Sequence, residues 1–496
     1  MSELIRTFIV VVMLSGATFW VTQKALPEFV PVKEFKRWRN AWLILVVAAF
    51  FAQSIWLLFT IITAFCIFFV SSKQKERVIY YLLLLCALPM FPVEIPGFAG
   101  IRYIINVNYV RLLTLVLLLG IYLKNIGKIR LFYFKSDAYI LAFVVLTSYL
   151  SFRDNSFTNG LRECLMNILD ILIPYLVLSR FIDNKDQLNR AFVALLIGIA
   201  PFALMGIFET LKSWHLFVAL KSSYSWGKGG YDIRDGSLRA SAIFASPIVL
   251  GYVLAIAFGL LLYLQPLIKN QRFVILAGLT IFVGLLATVA RGPWIGFAFL
   301  CCAYMWTGRE AVKKIALWGV GVVAMLPILA VTPYGEKFIN LLPFIGTTRA
   351  DTVDYRKRLI ENAWIVFKRH PWLGSTTYRE TPEMESMRQG QGIIDLVNSY
   401  IGLVLPYGIV GLSLFLIIFL GLSYRCYFIL KRIPPSEVDL LRMGRALFAI
   451  LASIMLMIAT VSSIDYIPVL YWTFAAIVAA YLKVVENTIR QHRVGI

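Results

Sequence analysis

The chain has 496 residues, 60 % of them apolar and 15 % charged, with a mean hydropathy of +0.78. Soluble globular chains sit near 45–50 % apolar and about 25 % charged, so an ordinary soluble enzyme is excluded. Lys and Arg number 48 against 27 Asp and Glu, a net charge of +21. That surplus would suggest nucleic acid in a soluble chain, but here most of it lies in short connections beside apolar runs, so no nucleic-acid partner is expected.

In chain order, apolar runs fall at 5–23, 41–71, 78–92, 108–123, 137–151, 163–181, 190–211, 241–265, 272–289, 292–306, 313–332, 397–424, 441–461 and 466–484. Measured against the roughly 20 residues a helix needs to cross hydrocarbon, they predict an all-α polytopic membrane protein of about 12–15 transmembrane helices. Residues 1–496 form one bundle on this reading. The opening run lacks a small-residue cleavage site and reads as a retained segment. The 41–71 run is too long for one crossing unless strongly tilted, and Gln53-Ser54 near its middle offers a turn.

Clusters at Lys73–Arg77, Lys124–Lys135, Arg180–Arg190, Lys269–Arg272, Arg309–Lys314 and Arg425–Arg445 mark cytoplasmic ends. Alternation then puts 92–108, 152–162, 212–240 and 333–396 outside. The cluster of Lys33, Lys36, Arg37 and Arg39 fits only if 41–71 crosses twice, which places residue 1 outside as well. The 333–396 connection is too long for a structureless link in a compact protein and is expected to be a loop subdomain that binds or covers something.

Cys66, Cys86, Cys164, Cys301, Cys302 and Cys426 show no disulfide or zinc spacing, and there is no P-loop, dinucleotide fingerprint or metal-ligand cluster. No metal or cofactor is therefore expected. Three stations on the outer side carry arginines: Arg239 in Leu238–Pro247, Arg291 in Ala290–Gly296, and Arg356 with Arg358 in Tyr355–Glu361. An arginine fork binds phosphate oxygens bidentately and keeps its charge in a low-dielectric setting, so converging arginines at a membrane surface suit a lipid diphosphate. The plain alternative is snorkelling to the interface. Arg291, between two apolar runs with no other charge nearby, is the hardest to explain that way.

Carboxylates near apolar segments are few: Glu94, Asp170, Glu209, Glu361, Asp395 and Asp465. Asp170 falls mid-segment and is expected to be paired or to line a cavity. Asp395 reads either as a general base for a sugar hydroxyl or as a carboxylate at a helix start. Trp214, Tyr224, Trp226, Trp364, Trp372 and Tyr378 could stack on sugars or simply form an interfacial belt.

The stretch Arg291-Gly292-Pro293-Trp294-Ile295 resembles the Arg-x3-Leu element of the bacterial O-antigen polymerase and O-antigen ligase superfamily, with Ile for Leu. These are integral membrane glycosyltransferases of the C-type. Arg358 through His370-Pro371-Trp372-Leu373-Gly374 resembles its Arg…Pro-x-x-Gly pattern. Asn398, then nine residues, then Gly408-Ile409-Val410-Gly411 is similar to the ligase pattern His-[Asn/Ser/Gln]-x9-Gly-x-x-Gly. Val397 stands where ligases place histidine, and Asp395 resembles the acidic residue of polymerase-like members. The likeness covers about 235–415.

The resemblance implies a C-type glycosyltransferase-like fold and a polysaccharide polymerase of the bacterial inner membrane with its active site facing the periplasm. Donor and acceptor would be undecaprenyl-diphosphate-linked oligosaccharides. One glycan would move with inversion onto the other, without metal, and undecaprenyl diphosphate would leave. Arg239, Arg291 and Arg356 or Arg358 would hold the diphosphate. Asp395, or Glu361 as second choice, would take the acceptor proton, while Asn398 and Tyr400 would orient sugar or base. Membrane lipid and a chain-length regulator are the other candidate partners. The alternatives are a ligase moving glycan to lipid A core or protein, and a lipid-linked glycan transporter.

Overall fold

In hydrocarbon every main-chain N–H and C=O must find a partner within the protein, so long apolar runs become helices. A computed structural model of the chain describes residues 2–98, 101–129, 132–153, 156–224, 232–234, 236–308, 310–330, 350–389 and 392–494. The first fourth of the chain holds α1 (Glu3–Ala25), α2 (Val32–Phe51), α3 (Ile55–Phe68), α4 (Gln74–Leu84) and a hairpin of β1 (Val93–Pro96) with β2 (Tyr103–Val107). Next come α5 (Tyr109–Leu113), a π-helical stretch leading to α6 (Gly120–Lys124), α7 (Lys135–Leu150), and α8 (Phe157–Asn167), which runs through a second π-helical stretch into α9 (Ile173–Phe181). The middle comprises α10 (Lys185–Lys212), α11 (Val218–Ser223), α12 (Pro247–Leu264), α13 (Gln271–Ala287), α14 (Arg291–Trp306) and α15 (Ala311–Ala330). The loop subdomain contributes α16 (Ala350–Arg369) and α17 (Pro382–Glu385), and the chain ends with α18 (Ser399–Leu430), α19 (Val438–Ile458) and α20 (Tyr466–Val494). The part of the 333–396 connection before residue 350 lies outside the described residues.

The protein is an all-α, multi-pass membrane bundle. Among the described residues seven helices are long and apolar enough to cross a membrane by themselves, and the shorter apolar helices Ile55–Phe68 and Gln271–Ala287 accompany them. The expected 12–15 exceeds seven because other apolar runs form helices too short for a full crossing, as in the 16 residues of α7 and of α14, or leave the helix partway. The 11 residues of α4, for example, continue as buried non-helical chain from Leu85 to Pro89. Irregular backbone at that depth is tolerated because protein surrounds it.

The 41–71 run divides where Gln53-Ser54 suggests. The Ser54 hydroxyl accepts the Leu57 N–H at 3.2 Å and starts α3. At the break, Ala49 and Ala52 carbonyls accept the Tyr224 hydroxyl at 2.6 and 3.1 Å. At the far end, Glu34 on α2, Phe68 at the end of α3 and Phe69 after it line the same hollow. The run therefore goes out and back.

Ion pairs sort the connections into two faces. On the charge-rich face Arg190 bridges Glu34 and Glu76, Lys75 meets Asp183 at 2.7 Å, Lys185 meets Asp439 at 3.0 Å, and Arg425 meets Glu486 at 2.8 Å. On the opposite face Arg162 donates to Ile104 O at 3.1 Å, and Arg153 reaches the 371–406 region from the α7–α8 connection. The connections that alternation assigns to one side thus touch one another.

Candidate functional site

The site is built around the three-residue break between α13 and α14. Val289 in that break has a φ of +47°, and α14 begins at Arg291. The segment before α12 is tied onto the break: Ala240 N–H donates to Ala287 O at 3.0 Å, Arg239 Nε to Thr288 O at 3.2 Å and Arg234 Nη1 to Val289 O at 3.2 Å. Arg239 also pairs with Asp232 at 2.7 Å. Gly292 places α14 against the connection between α19 and α20, since a β-carbon there would lie 2.4 Å from Thr460 Oγ1.

From the loop subdomain, α16 brings Arg356 to the same place. Its Nη2 donates to Thr460 O at 3.3 Å, and its Nε is buried with no hydrogen-bond partner among the described residues. Burial lowers the pKa of this guanidinium; Asp395 nearby raises it again and the Arg291 charge lowers it further. Two cations held close in partial burial repel each other unless an anion joins them.

Asp395 is half-buried beside this pair. Its carboxylate accepts the Ser462 hydroxyl and the Val397 N–H, the latter at 3.2 Å. The Asn398 side chain caps α18, accepting Tyr400 N–H at 2.8 Å and Ile401 N–H at 3.4 Å. Tyr400 turns into the bundle, where its hydroxyl donates to Met455 O at 2.7 Å. Arg358 and Glu361 are exposed on α16. Glu361, five residues after Arg356, points about 140° away around the helix. The structure therefore gathers Arg291, Arg356 and Asp395, anchors Arg239 on the same break, and leaves Asn398, Tyr400, Arg358 and Glu361 with other surroundings.

Beyond the α19–α20 connection lies a cavity of about 550 Å³, where Asp170 is both paired and part of the lining, as its mid-segment position predicts. Asp170 lines it in a bidentate pair with Arg111, at 2.9 and 2.7 Å. The mid-segment carboxylate at Asp170 and an arginine near the start of the 108–123 apolar run were the available signals. Asp465 forms another wall, its Oδ2 accepting Ala245 N–H at 2.9 Å. Burial pushes the Asp465 carboxyl up to about 6, against the opposing pull of the Ala245 amide and Lys221.

Four residues in the left-handed backbone region surround the two compartments: Ala242 (φ 48°), Val289 (47°), Val397 (40°) and Asp465 (52°). Such conformations cost about 1–3 kcal/mol each, most for β-branched residues, and concentrate where function fixes geometry.

Two further features hold the region in shape. Glu209, fully buried at the end of α10, accepts N–H groups from Leu216, Ser241 and Ala242, each at 2.9 Å. Replacing Glu209 with alanine strands those amides, and a loss of about 3–5 kcal/mol is expected, to be read as a lower melting temperature of the detergent-solubilised protein. The second feature is a clasp between the loop and α18. Ile409 N–H donates to Pro371 O at 2.8 Å, Val410 N–H to Trp372 O at 3.2 Å and Ser375 N–H to Leu405 O at 2.9 Å. Arg153 adds bonds to Gly374 O at 2.9 Å and Pro406 O at 3.0 Å. Gly374 and Gly408 both have positive φ and lie backbone to backbone, so the Pro-x-x-Gly and Gly-x-x-Gly patterns are the two halves of one contact.

Residues 273–416 match the O-antigen ligase family. The matched stretch contains Arg291, Arg356, Asp395 and both halves of the clasp, whereas Arg239, Arg111, Asp170 and Asp465 lie outside it. No curated protein matches the chain significantly. The family match supports an O-antigen polymerase or ligase type of function in general, and members of the family are glycosyltransferase-like enzymes.

Proposed function

We propose that this chain, carrying a domain of the O-antigen polymerase and ligase superfamily in a multi-pass bundle, is a polysaccharide polymerase of the bacterial inner membrane. It joins undecaprenyl-diphosphate-linked oligosaccharides at the periplasmic face. The observation that carries this reading is the partially buried Arg356, its Nε without a hydrogen-bond partner among the described residues, held beside Arg291 from a separate part of the chain. An anion with several oxygens between them relieves the repulsion and fills the missing hydrogen bond.

The donor diphosphate lies between Arg291 and Arg356. As the bond from the anomeric carbon to the diphosphate oxygen lengthens, negative charge grows on that oxygen, and the two fixed guanidinium groups stabilise it. Arg239 acts through the break: it fixes the Thr288 carbonyl and with it the start of α14. Asp395 supplies a counter-charge and sets Ser462. The loop subdomain carries Arg356, so its docking completes the clamp and shields the reacting sugar from water. Polymerase is favoured over ligase because Val397 occupies the ligase histidine position, which removes the imidazole that would serve as base.

The decisive test is to incubate purified protein with lipid-linked repeat units and no other component. A ladder of glycan lengths with release of undecaprenyl diphosphate is expected; absence of any lengthened product rules the polymerase out.

A further inference from the structure

The diphosphate clamp leaves open where the second substrate sits, and the connection Ala459–Asp465 points to the answer. Thr460 and Ser462 in this connection face the clamp, through Arg356 and Asp395. Ser463 and Asp465 line the cavity of about 550 Å³. Thr460 and Asp465 are five residues apart, at most about 17 Å of extended chain. A turn with Ile464 N–H on Ser462 O shortens the path further. The two compartments thus meet along one short connection.

Resting on the transferase reading above, we infer that this cavity holds the acceptor sugar, and that the Asp465 carboxylate takes the proton from the attacking hydroxyl. The lining has the chemistry of carbohydrate recognition. The Arg111–Asp170 pair and Asn167 offer hydroxyl partners, and Tyr471 and Trp472 offer aromatic surface. A volume of this size takes a sugar or two.

Asp465 is better placed than Asp395 for the proton. Asp395 faces the clamp through Ser462 and Val397, whereas Asp465 is itself a wall of the cavity. The hydrogen bonds to Asp465 come from main-chain amides of Ala245 and Tyr466, so a carboxylate with about four lone-pair positions keeps room for a hydroxyl. Its carboxyl, pushed up to about 6, is also closer to neutral pH than an ordinary aspartate, as general-base catalysis favours. In the step, the acceptor oxygen bonds to the anomeric carbon and its proton passes to Asp465. The bond from that carbon to the diphosphate breaks, and the diphosphate leaves with the electron pair. Asp465 then returns the proton to water.

Two variants test this. Asp465→Asn removes the base, and Gly402→Leu fills the cavity. Gly402 lines the cavity, and a β-carbon there makes an ordinary contact with Leu396 Cδ1 at 3.5 Å, so branching at this position starts without a clash. The readouts are glycan extension in cells and binding of undecaprenyl diphosphate by the purified protein. Both variants are expected to lower extension at least about 100-fold while binding stays within about twofold of wild type. Wild-type extension in both variants overturns the inference. So does a parallel loss of extension and binding in both, which means a structural role. Failure of the clamp itself would show differently, as undecaprenyl diphosphate binding that survives alanine at Arg291 and Arg356.

Discussion

Arg291→Ala and Arg356→Ala are each expected to reduce glycan chain extension by about two to three orders of magnitude, with protein level and membrane insertion unchanged. Removing one preorganised donor from a developing oxyanion has that order of effect in other enzymes. Insertion should persist because both side chains sit at helix starts or in the loop subdomain rather than within a crossing. Lysine at either position should rescue poorly, since a point charge replaces a planar fork. For Arg356 the argument is sharper, because its Nη2 already holds Thr460 O while Nε has no hydrogen-bond partner among the described residues. A lysine ammonium cannot keep both geometries. Gel ladders of cell-surface glycan, with immunoblots of membrane fractions, decide the matter. Wild-type ladders from both alanine variants eliminate the clamp.

Gly408→Ala should be the most damaging change to the fold itself. Gly408 has φ 64° and ψ −167° inside α18, a region open essentially to glycine alone. A β-carbon there would lie 2.2 Å from Trp372 O and 2.3 Å from Trp372 C, closer than any real contact allows. Backbone strain and the clash together are expected to cost more than about 3 kcal/mol, or to undock the loop. The measurement is thermal unfolding in detergent alongside limited proteolysis of the 371–396 region. Gly402→Ala, in the same helix, where a β-carbon makes only an ordinary contact with Leu396 Cδ1 at 3.5 Å, serves as the control and should melt like wild type.

Much of this organisation is legible in the sequence. Apolar run lengths give the bundle, and lysine and arginine placement gives the two faces that the ion pairs reproduce. The 41–71 run breaks at the Ser54 cap, as Gln53-Ser54 suggests, and its two arms return to one hollow. Arginines at costly positions stand out against apolar neighbours, which is why Arg291 is visible. Side-chain direction is harder, because each helical residue advances about 100° and only packing fixes the phase. Tyr400 and Asn398 read as site residues from position alone, yet one faces α19 and the other caps α18. For Glu361 the phase is readable: Leu359, Ala363 and Val366 form the buried stripe of α16 and leave it outside. The Arg111, Asp170 and Asp465 cavity is not, since it joins residues hundreds of positions apart.

The clasp also bears on how such proteins are recombined. Where Pro406 and Gly408 interrupt α18, the carbonyls of Pro371 and Trp372 accept main-chain N–H groups of Ile409 and Val410 that the helix leaves open. The loop is in effect a splint across a fractured rod. A chimera that exchanges the loop but retains the host's 405–411 stretch would strand those polar groups in the bundle. Residues 371–411 are therefore a minimal cassette, and grafts cut outside its ends should assemble where grafts cut within it do not.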